Sequence, residues 1–242
     1  MASTEVLGVR VDDAGYDEVL AWVDACVEAR GAHQLVTLNP EMLVAAHDDA
    51  AFRRVLNEAD LNVADGVGIV WAARILGRPL RERVTGSDGI YRLAAHCAQR
   101  GYRPFFLGAQ PGVAEEVARR LVARYPGLVV AGTHAGSPRA EDEGAVAGRV
   151  RAAAPDLLFV AYGVPAEEQW IARVGPRLGV PVMVGVGGAF DFVAGTARRA
   201  PGWMRRWGLE WLYRLVREPW RWRRQLALPR FVALVVAQRL RL

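Results

Sequence analysis

The stretch Pro104-Phe-Phe-Leu-Gly-Ala-Gln-Pro-Gly-Val-Ala-Glu-Glu-Val-Ala-Arg-Arg-Leu-Val-Ala-Arg124 reads as strand, turn and helix in direct succession. Pro104–Leu107 is a short, almost wholly apolar run bounded by turn residues. Val113, Val117, Leu121 and Val122 then recur at helical spacing. A strand with no polar alternation fits a parallel sheet covered on both faces. The pattern repeats outward, with further strands predicted at Leu35–Leu38, Leu61–Ala64, Val129–Gly132, Leu157–Ala161 and Pro181–Val186. Helices are predicted near Tyr16–Arg30, Glu41–Glu58, Gly66–Leu76, Ser87–Arg100, Gly112–Arg124, Ala140–Ala153 and Ala166–Leu178. Such alternation with short connections predicts an α/β fold: a Rossmann-like open, mostly parallel sheet with helices on both faces.

The chain has 242 residues, of which 52% are hydrophobic and 24% charged, a balance that excludes a disordered chain. Cys26 and Cys97 have neither metal-ligand nor disulfide-framework spacing, so buried free thiols are expected. The N-terminus lacks a basic start followed by an apolar run, and no stretch approaches the roughly 20 apolar residues that span a bilayer. These features predict a cytoplasmic protein, peripheral at the inner face of the cell membrane. Charge is unevenly placed. All 31 basic residues are arginine, and twelve of them lie from Arg198 onward against only Glu210 and Glu218. Five of the eight tryptophans share that segment. The shift divides the chain into an α/β body, 1–195, and an Arg/Trp-rich helical appendage, 196–242, suited to an anionic partner. Trp203, Trp207, Trp211 and Leu215 follow i, i+4 spacing and predict one face of one helix, flanked by Arg205, Arg206, Arg214 and Arg217. Trp and Arg on an amphipathic helix suit an anionic membrane surface. The same face could instead dock on the body. Nucleic acid is the weaker partner, because helix-face spacing does not make a sheet of stacking platforms. A chain stopped before Arg198 is expected to keep a folded body.

In open α/β sheets ligands bind at the carboxyl ends of strands. Asp65, after a strand and before Gly66, can face a ligand and accept a proton from a hydroxyl; it can equally cap the helix that follows. Thr37 and Asn39 can hydrogen-bond a sugar or serve turn chemistry before Pro40. Gly108-Ala-Gln-Pro-Gly112 and Gly185-Val-Gly-Gly188 allow close backbone approach to a polar ligand, or are ordinary turns. The histidines His33, His47, His96 and His134 show no ligand spacing, and no DxD pair follows a strand. Asp12-Asp13 and Asp48-Asp49 read as helix starts or solvated faces. No catalytic metal or other cofactor is expected.

Several blocks together resemble the WecG/TagA/CpsF glycosyltransferases: Thr37-Leu-Asn-Pro-Glu-Met42, Ala59-Asp-Leu-Asn-Val-Ala-Asp-Gly-Val-Gly-Ile-Val70, Arg83-Val-Thr-Gly-Ser-Asp88 and Phe106-Leu-Gly-Ala-Gln-Pro-Gly-Val-Ala-Glu115. Gly163-Val-Pro165 with Glu168 and Trp170, Gly185-Val-Gly-Gly-Ala-Phe-Asp191, Arg199-Ala-Pro201 and Gly208-Leu-Glu-Trp-Leu-Tyr-Arg214 continue the match in order. The resemblance implies an inverting, metal-independent transferase moving an N-acetylmannosamine-type or other hexose. The donor would be a UDP-sugar, the acceptor a polyprenyl-diphosphate-linked sugar, and the pathway cell-surface polysaccharide or teichoic acid synthesis. It implies Asp65 as general base and Thr37 and Asn39 in the sugar and acceptor pocket. Arg214, Arg221 and Arg224 would close over the donor diphosphate from a membrane-attached appendage. Arg83, Gly86, Asp88, Gly108, Gly112 and Gly136 are expected to line the substrate site, with Gly163, Pro165, Glu167, Gly187 and Gly188. The resemblance also implies a homo-oligomer in solution. One departure stands out: the family usually reads Pro-Lys-Gln-Glu-x-Trp, and this chain reads Pro165-Ala-Glu-Glu-Gln-Trp170, which is expected to bring a negative charge near the donor at Glu167. A Rossmann-type oxidoreductase is the rival reading, but no GxGxxG with a following acid is present. A non-catalytic membrane or nucleic-acid binder built on the basic tail is the other.

Overall fold

The computed structural model describes residues 1–219 and 222–241. It opens with an antiparallel hairpin, β1 (Ser3–Val6) and β2 (Val9–Asp12), which the sequence reading passed over. Leu7 and Gly8 both take positive φ, the backbone of a primed two-residue turn whose twist suits paired strands. There follow α1 (Tyr16–Ala29), β3 (His33–Leu38), α2 (Pro40–Asp48), α3 (Ala50–Glu58), β4 (Leu61–Ala64), α4 (Val67–Ile75), α5 (Gly86–Arg100), β5 (Pro104–Gly108) and α6 (Val113–Arg124). Next come β6 (Gly132–His134), α7 (Glu143–Ala153), β7 (Leu157–Ala161), α8 (Ala166–Val174), β8 (Val182–Gly185) and α9 (Ala189–Ala194). The appendage supplies α10 (Gly202–Arg206), α11 (Glu210–Arg217), α12 (Trp222–Gln225) and α13 (Ala227–Leu240).

Six strands form one parallel sheet in the order β4-β3-β8-β7-β5-β6. The central strands β5, β7 and β8 are continuously apolar because both faces are covered. Phe106 and Phe159 pack with α1, α5, α6 and α9, while their neighbours Phe105, Leu158 and Val160 pack with α7 and α8. A third cluster joins Val36 and Leu38 to the hairpin, α2, α3 and α4. Cys26 and Cys97 are buried free thiols.

Four expectations need correction. The predicted helix Glu41–Glu58 is two helices, because the extended Asp49 ends α2 and caps α3 by accepting from the Ala51 and Phe52 N–H groups. Asp12, in turn, starts no helix: its carboxylate ends β2 and accepts the buried Asn62 N–H at 2.9 Å, tying hairpin to sheet. The sixth strand begins at Gly132 rather than Val129, which is exposed, as is Val122 on α6. Finally, Trp203, Trp207 and Trp211 do not share one helix face. Gly208 adopts a φ of +70° and breaks the run between α10 and α11.

The appendage packs on the body. Phe231 and Val235 of α13 are fully buried in the cluster with α2 and α4, and the Gln238 side chain bonds the hairpin at Leu7. Arg230 pairs with Asp48 and Arg224 with Glu41. Among the described residues no helix is long and apolar enough to cross a membrane.

Candidate active site

The sheet order puts β3 beside β8 although the chain leaves β3 toward β4, so the connections at the carboxyl ends of β3, β4, β7 and β8 diverge and leave a crevice. A cleft of about 770 Å³ occupies it. Its body-side lining includes Thr37, Asn39, Asp65, Arg83, Gly86, Gly163, Glu167, Gly187 and Gly188; Glu210, Trp211, Arg224 and Phe231 come from the appendage.

Asp65 sits half-buried at the end of β4. It does not cap the helix that follows, since Gly66 with φ +91° occupies that position. Its Oδ2 instead accepts the Gly86 N–H at 3.1 Å, at the start of α5. Gly86 permits this approach: a Cβ there would stand 3.1 Å from Thr37 Oγ1. Burial pushes the Asp65 pKa up to about 7, the Gly86 N–H and the Arg83 charge pull it down, and the charges of Glu210 and Asp88 push it further up. A carboxyl poised near neutrality can take a proton from a hydroxyl in the transition state.

The start of α5 is itself held. Thr85 caps it by accepting the Asp88 N–H at 3.1 Å, and the Thr85 N–H donates to the Tyr16 hydroxyl at 3.0 Å. Arg199 reaches in from the appendage to Asp88 at 2.6 Å, to Ser87 Oγ at 3.0 Å and to Glu210 at 3.5 Å. Asp88 is thus an anchor for Arg199 behind the cleft rather than part of its lining.

Arg224 donates through Nε and Nη2 to Glu41 Oε2 at 3.0 and 2.7 Å. Both residues line the cleft. Arg214 lies on α11, but its side chain and all of Arg221 lie outside the described residues. Asn39 caps α2, accepting the Met42 N–H at 3.0 Å, while still facing the cleft.

The remaining glycines divide. Gly108 and Gly112 flank the lining residues Ala109 and Gln110 without joining them. A Cβ on Gly108, which has a φ of +107°, would meet the Ala161 backbone at 2.6 Å, so this glycine lets β5 and β7 stay close. A Cβ on Gly136 would stand 2.6 Å from the Tyr162 hydroxyl. Pro165, outside the lining, follows a cis peptide and precedes α8.

Sequence reasoning assigned no site role to Glu41, Glu168, Arg199 or Glu210, and placed Trp211 only on the face of the appendage. Four of these line the cleft and Arg199 braces it. All five lie within the blocks that carry the family resemblance, which was the available signal. Among the described residues no group of three or more His, Cys, Asp or Glu is placed to hold a metal ion. The described guanidinium groups that line the cleft, and so suit phosphate oxygens, are those of Arg83 and Arg224.

Residues 4–242 match the glycosyl transferase WecG/TagA/CpsF family. The chain is 37% identical over 202 residues, 84% of this chain and 78% of the relative, to an N-acetylglucosaminyldiphosphoundecaprenol N-acetyl-beta-D-mannosaminyltransferase of Bacillus spizizenii. A protein of that name from Bacillus subtilis is 35% identical over the same shares. Another, from Staphylococcus aureus strain MW2, is 32% identical over 92% of this chain and 87% of the relative.

Proposed function

The chain belongs to the WecG/TagA/CpsF glycosyltransferase family, and on that premise we propose that it transfers an N-acetylmannosamine-type sugar from a UDP donor to an undecaprenyl-diphosphate-linked N-acetylglucosamine acceptor. The observation that carries the reading is one cleft lined by Asp65, Arg83 and Arg224. An acceptor hydroxyl attacks the anomeric carbon from the face opposite the diphosphate. Asp65 removes its proton as the bond forms, and the anomeric centre inverts. The departing diphosphate gains charge, which guanidinium forks match bidentately. Arg83 and Arg224 are the described candidates, with Arg214 and Arg221 proposed beside them. The cleft also has an apolar side, made by Val67, Trp71, Trp211, Leu228 and Val232, which suits the lipid end of the acceptor.

The reading is tested by turnover with UDP-N-acetylmannosamine and a short-prenyl diphosphate N-acetylglucosamine. Transfer with inversion is expected; tight NAD binding without transfer would favour the oxidoreductase reading. Arginines in the diphosphate role need no metal, so a dialysed enzyme in EDTA is expected to keep its rate. A strict Mg²⁺ or Mn²⁺ requirement would overturn that role.

Arg224 is engaged by Glu41, and an incoming diphosphate must compete for it. Half-exposed ion pairs of this kind contribute about 0.2–1 kcal/mol. Glu41→Gln is therefore expected to tighten UDP binding about two- to fivefold, measured by calorimetry at low salt. Unchanged or weaker binding removes Arg224 from the diphosphate site.

Peripheral attachment at the inner membrane face belongs to the same proposal. Trp207, Val216 and Leu240 are 76%, 72% and 82% exposed on the appendage, interleaved with its arginines. Basic residues near an anionic bilayer contribute about 1 kcal/mol each.

A further inference from the structure

Glu167 and Glu168 are adjacent carboxyl groups, each only 2% exposed, at the inner wall of the cleft. Two buried carboxylates side by side require either a cation or a proton. Among the described residues neither has a salt bridge. Among the described residues, the elements packed most closely on α8 send their charges elsewhere. On α3, Arg53 donates to the Ala46 carbonyl, and Arg54 and Glu58 are exposed. On β3, His33 faces Asp60, and the Gln34 amide donates to the Glu168 carbonyl. Arg173 on α8 and Arg177 just beyond it both pair with Glu143. β7 and β8 carry no ionisable side chain.

What does meet Glu167 is backbone. Its Oε2 accepts the Gly163 N–H at 2.8 Å and the Gly187 N–H at 3.1 Å. These N–H groups belong to the two connections that leave the neighbouring strands β7 and β8, and both connections line the cleft. Space for the acids is made by Gly185, where a Cβ would stand 2.9 Å from Glu168 Oε1 and 3.1 Å from Glu167 Cγ. Glu168 Oε2 is buried without a donor of its own, and the carboxyl carbon of Glu167 stands 3.2 Å from the same point beside Gly185 that Glu168 Oε1 approaches.

We propose that Glu167 and Glu168 share one proton at neutral pH, and that Glu167 is thereby a positioning residue that clips the β7 and β8 connections together around the substrate. The shared proton does what an amide N–H would do: it bridges two carboxyl groups and leaves an oxygen free to accept both glycine N–H groups. The expected extra negative charge near the donor is thus cancelled within the pair. Burial pushes both groups above the ordinary carboxylate range, and the Glu167 charge pushes Glu168 further up, which supports the assignment.

The test is infrared titration of the full chain, in an Asp65→Asn background so that residue's own proton does not contribute. The background protein is expected to show a protonated-carboxyl absorption at pH 6 that is lost toward pH 9. Either Glu167→Gln or Glu168→Gln supplies an amide donor in place of the proton, so each is expected to remove that absorption. The proposal is overturned if the absorption is missing at pH 6, or if it persists in both variants. The positioning role is read with Asp65 intact. Glu167→Ala leaves two buried N–H groups unsatisfied and is expected to raise KM for the UDP-sugar about tenfold. Glu167→Gln is expected to reverse that rise and to flatten the pH dependence of KM above 7. An alanine variant with wild-type KM overturns the clip. The KM measurement rests on the nucleotide-sugar reading and the infrared one does not, so failure of that reading leaves the shared proton separately decided.

Discussion

Asp65→Asn is expected to lower kcat about 10²- to 10⁴-fold, the usual contribution of a positioned general base, with little change in UDP affinity. The substitution is nearly isosteric, and Asn Oδ1 still accepts the Gly86 N–H that holds Asp65 in place. What disappears is the ability to take a proton. The wild-type rate carries a second signature. Because burial raises this carboxyl to about 7, it is protonated and idle in acid, and kcat should climb as pH passes through about 7. The acidic limb should vanish with the residual activity of the variant. Stability moves the other way. The folded chain holds this proton more tightly than the unfolded chain. Asp65 therefore weakens the fold progressively as pH rises from the ordinary carboxylate range through about 7. Asparagine has no such dependence, so the variant should melt higher than wild type at pH 8. A variant with full turnover removes Asp65 from the reaction.

Phe231→Ala is expected to destabilise the protein by about 3–5 kcal/mol, the range for truncating a buried phenylalanine. The ring is 1% exposed and packs in the cluster that joins α13 to α2 and α4. Its edge would lie 3.7 Å from a Cβ placed on Gly68, so at that point α4 offers no side chain to fill the void. Phe231 also walls the cleft, as does Arg224 on the preceding helix α12. Loss of docking would carry both away from Asp65. Guanidinium unfolding should show a lower midpoint at unchanged slope, together with reduced transfer. A midpoint within error of wild type would show that α13 contributes no packing to the body. By the same reasoning, the boundary near 196 separates compositions more clearly than it separates packing. A chain stopped before Arg198 uncovers the apolar surfaces of α2 and α4, so we expect it to be less soluble than its composition suggests.

The parallel core was readable because its signal is local: runs such as Phe105-Phe106-Leu107 are apolar at every position, whichever face each side chain takes. Periodicity sees composition, not termination. Asp49 and Gly208 each break a helical run by one residue's backbone, and a mean over ten residues averages that away. The hairpin was lost for a different reason: its turn, Leu7-Gly8, places a leucine where positive φ usually selects Asn or Gly. Val129 and Val130 mimic an edge strand, but the ladder starts at Gly132, where the missing side chain lets the Phe105 ring sit against the backbone. At the site, Asp65, Thr37 and Arg224 came from motif spacing and resemblance. Arg199 and Glu41 stood in the same blocks without a role, because their importance lies in the partners they meet, Asp88 and Arg224, more than a hundred positions away.

The strand order also has a consequence for how the protein is made. β8 lies between β3 and β7, yet it is the last strand to leave the ribosome. Until residue 185 emerges, β3–β4 and β7–β5–β6 can pair only as two half-sheets, each with an open edge. Neither half can seal against the other, and such unpaired edges are sites of mispairing with other chains. Closure joins His33 to Val182 across about 150 intervening positions, a separation that slows folding. The reaction crevice lies along that late seam, so the site and the completed sheet come into being together.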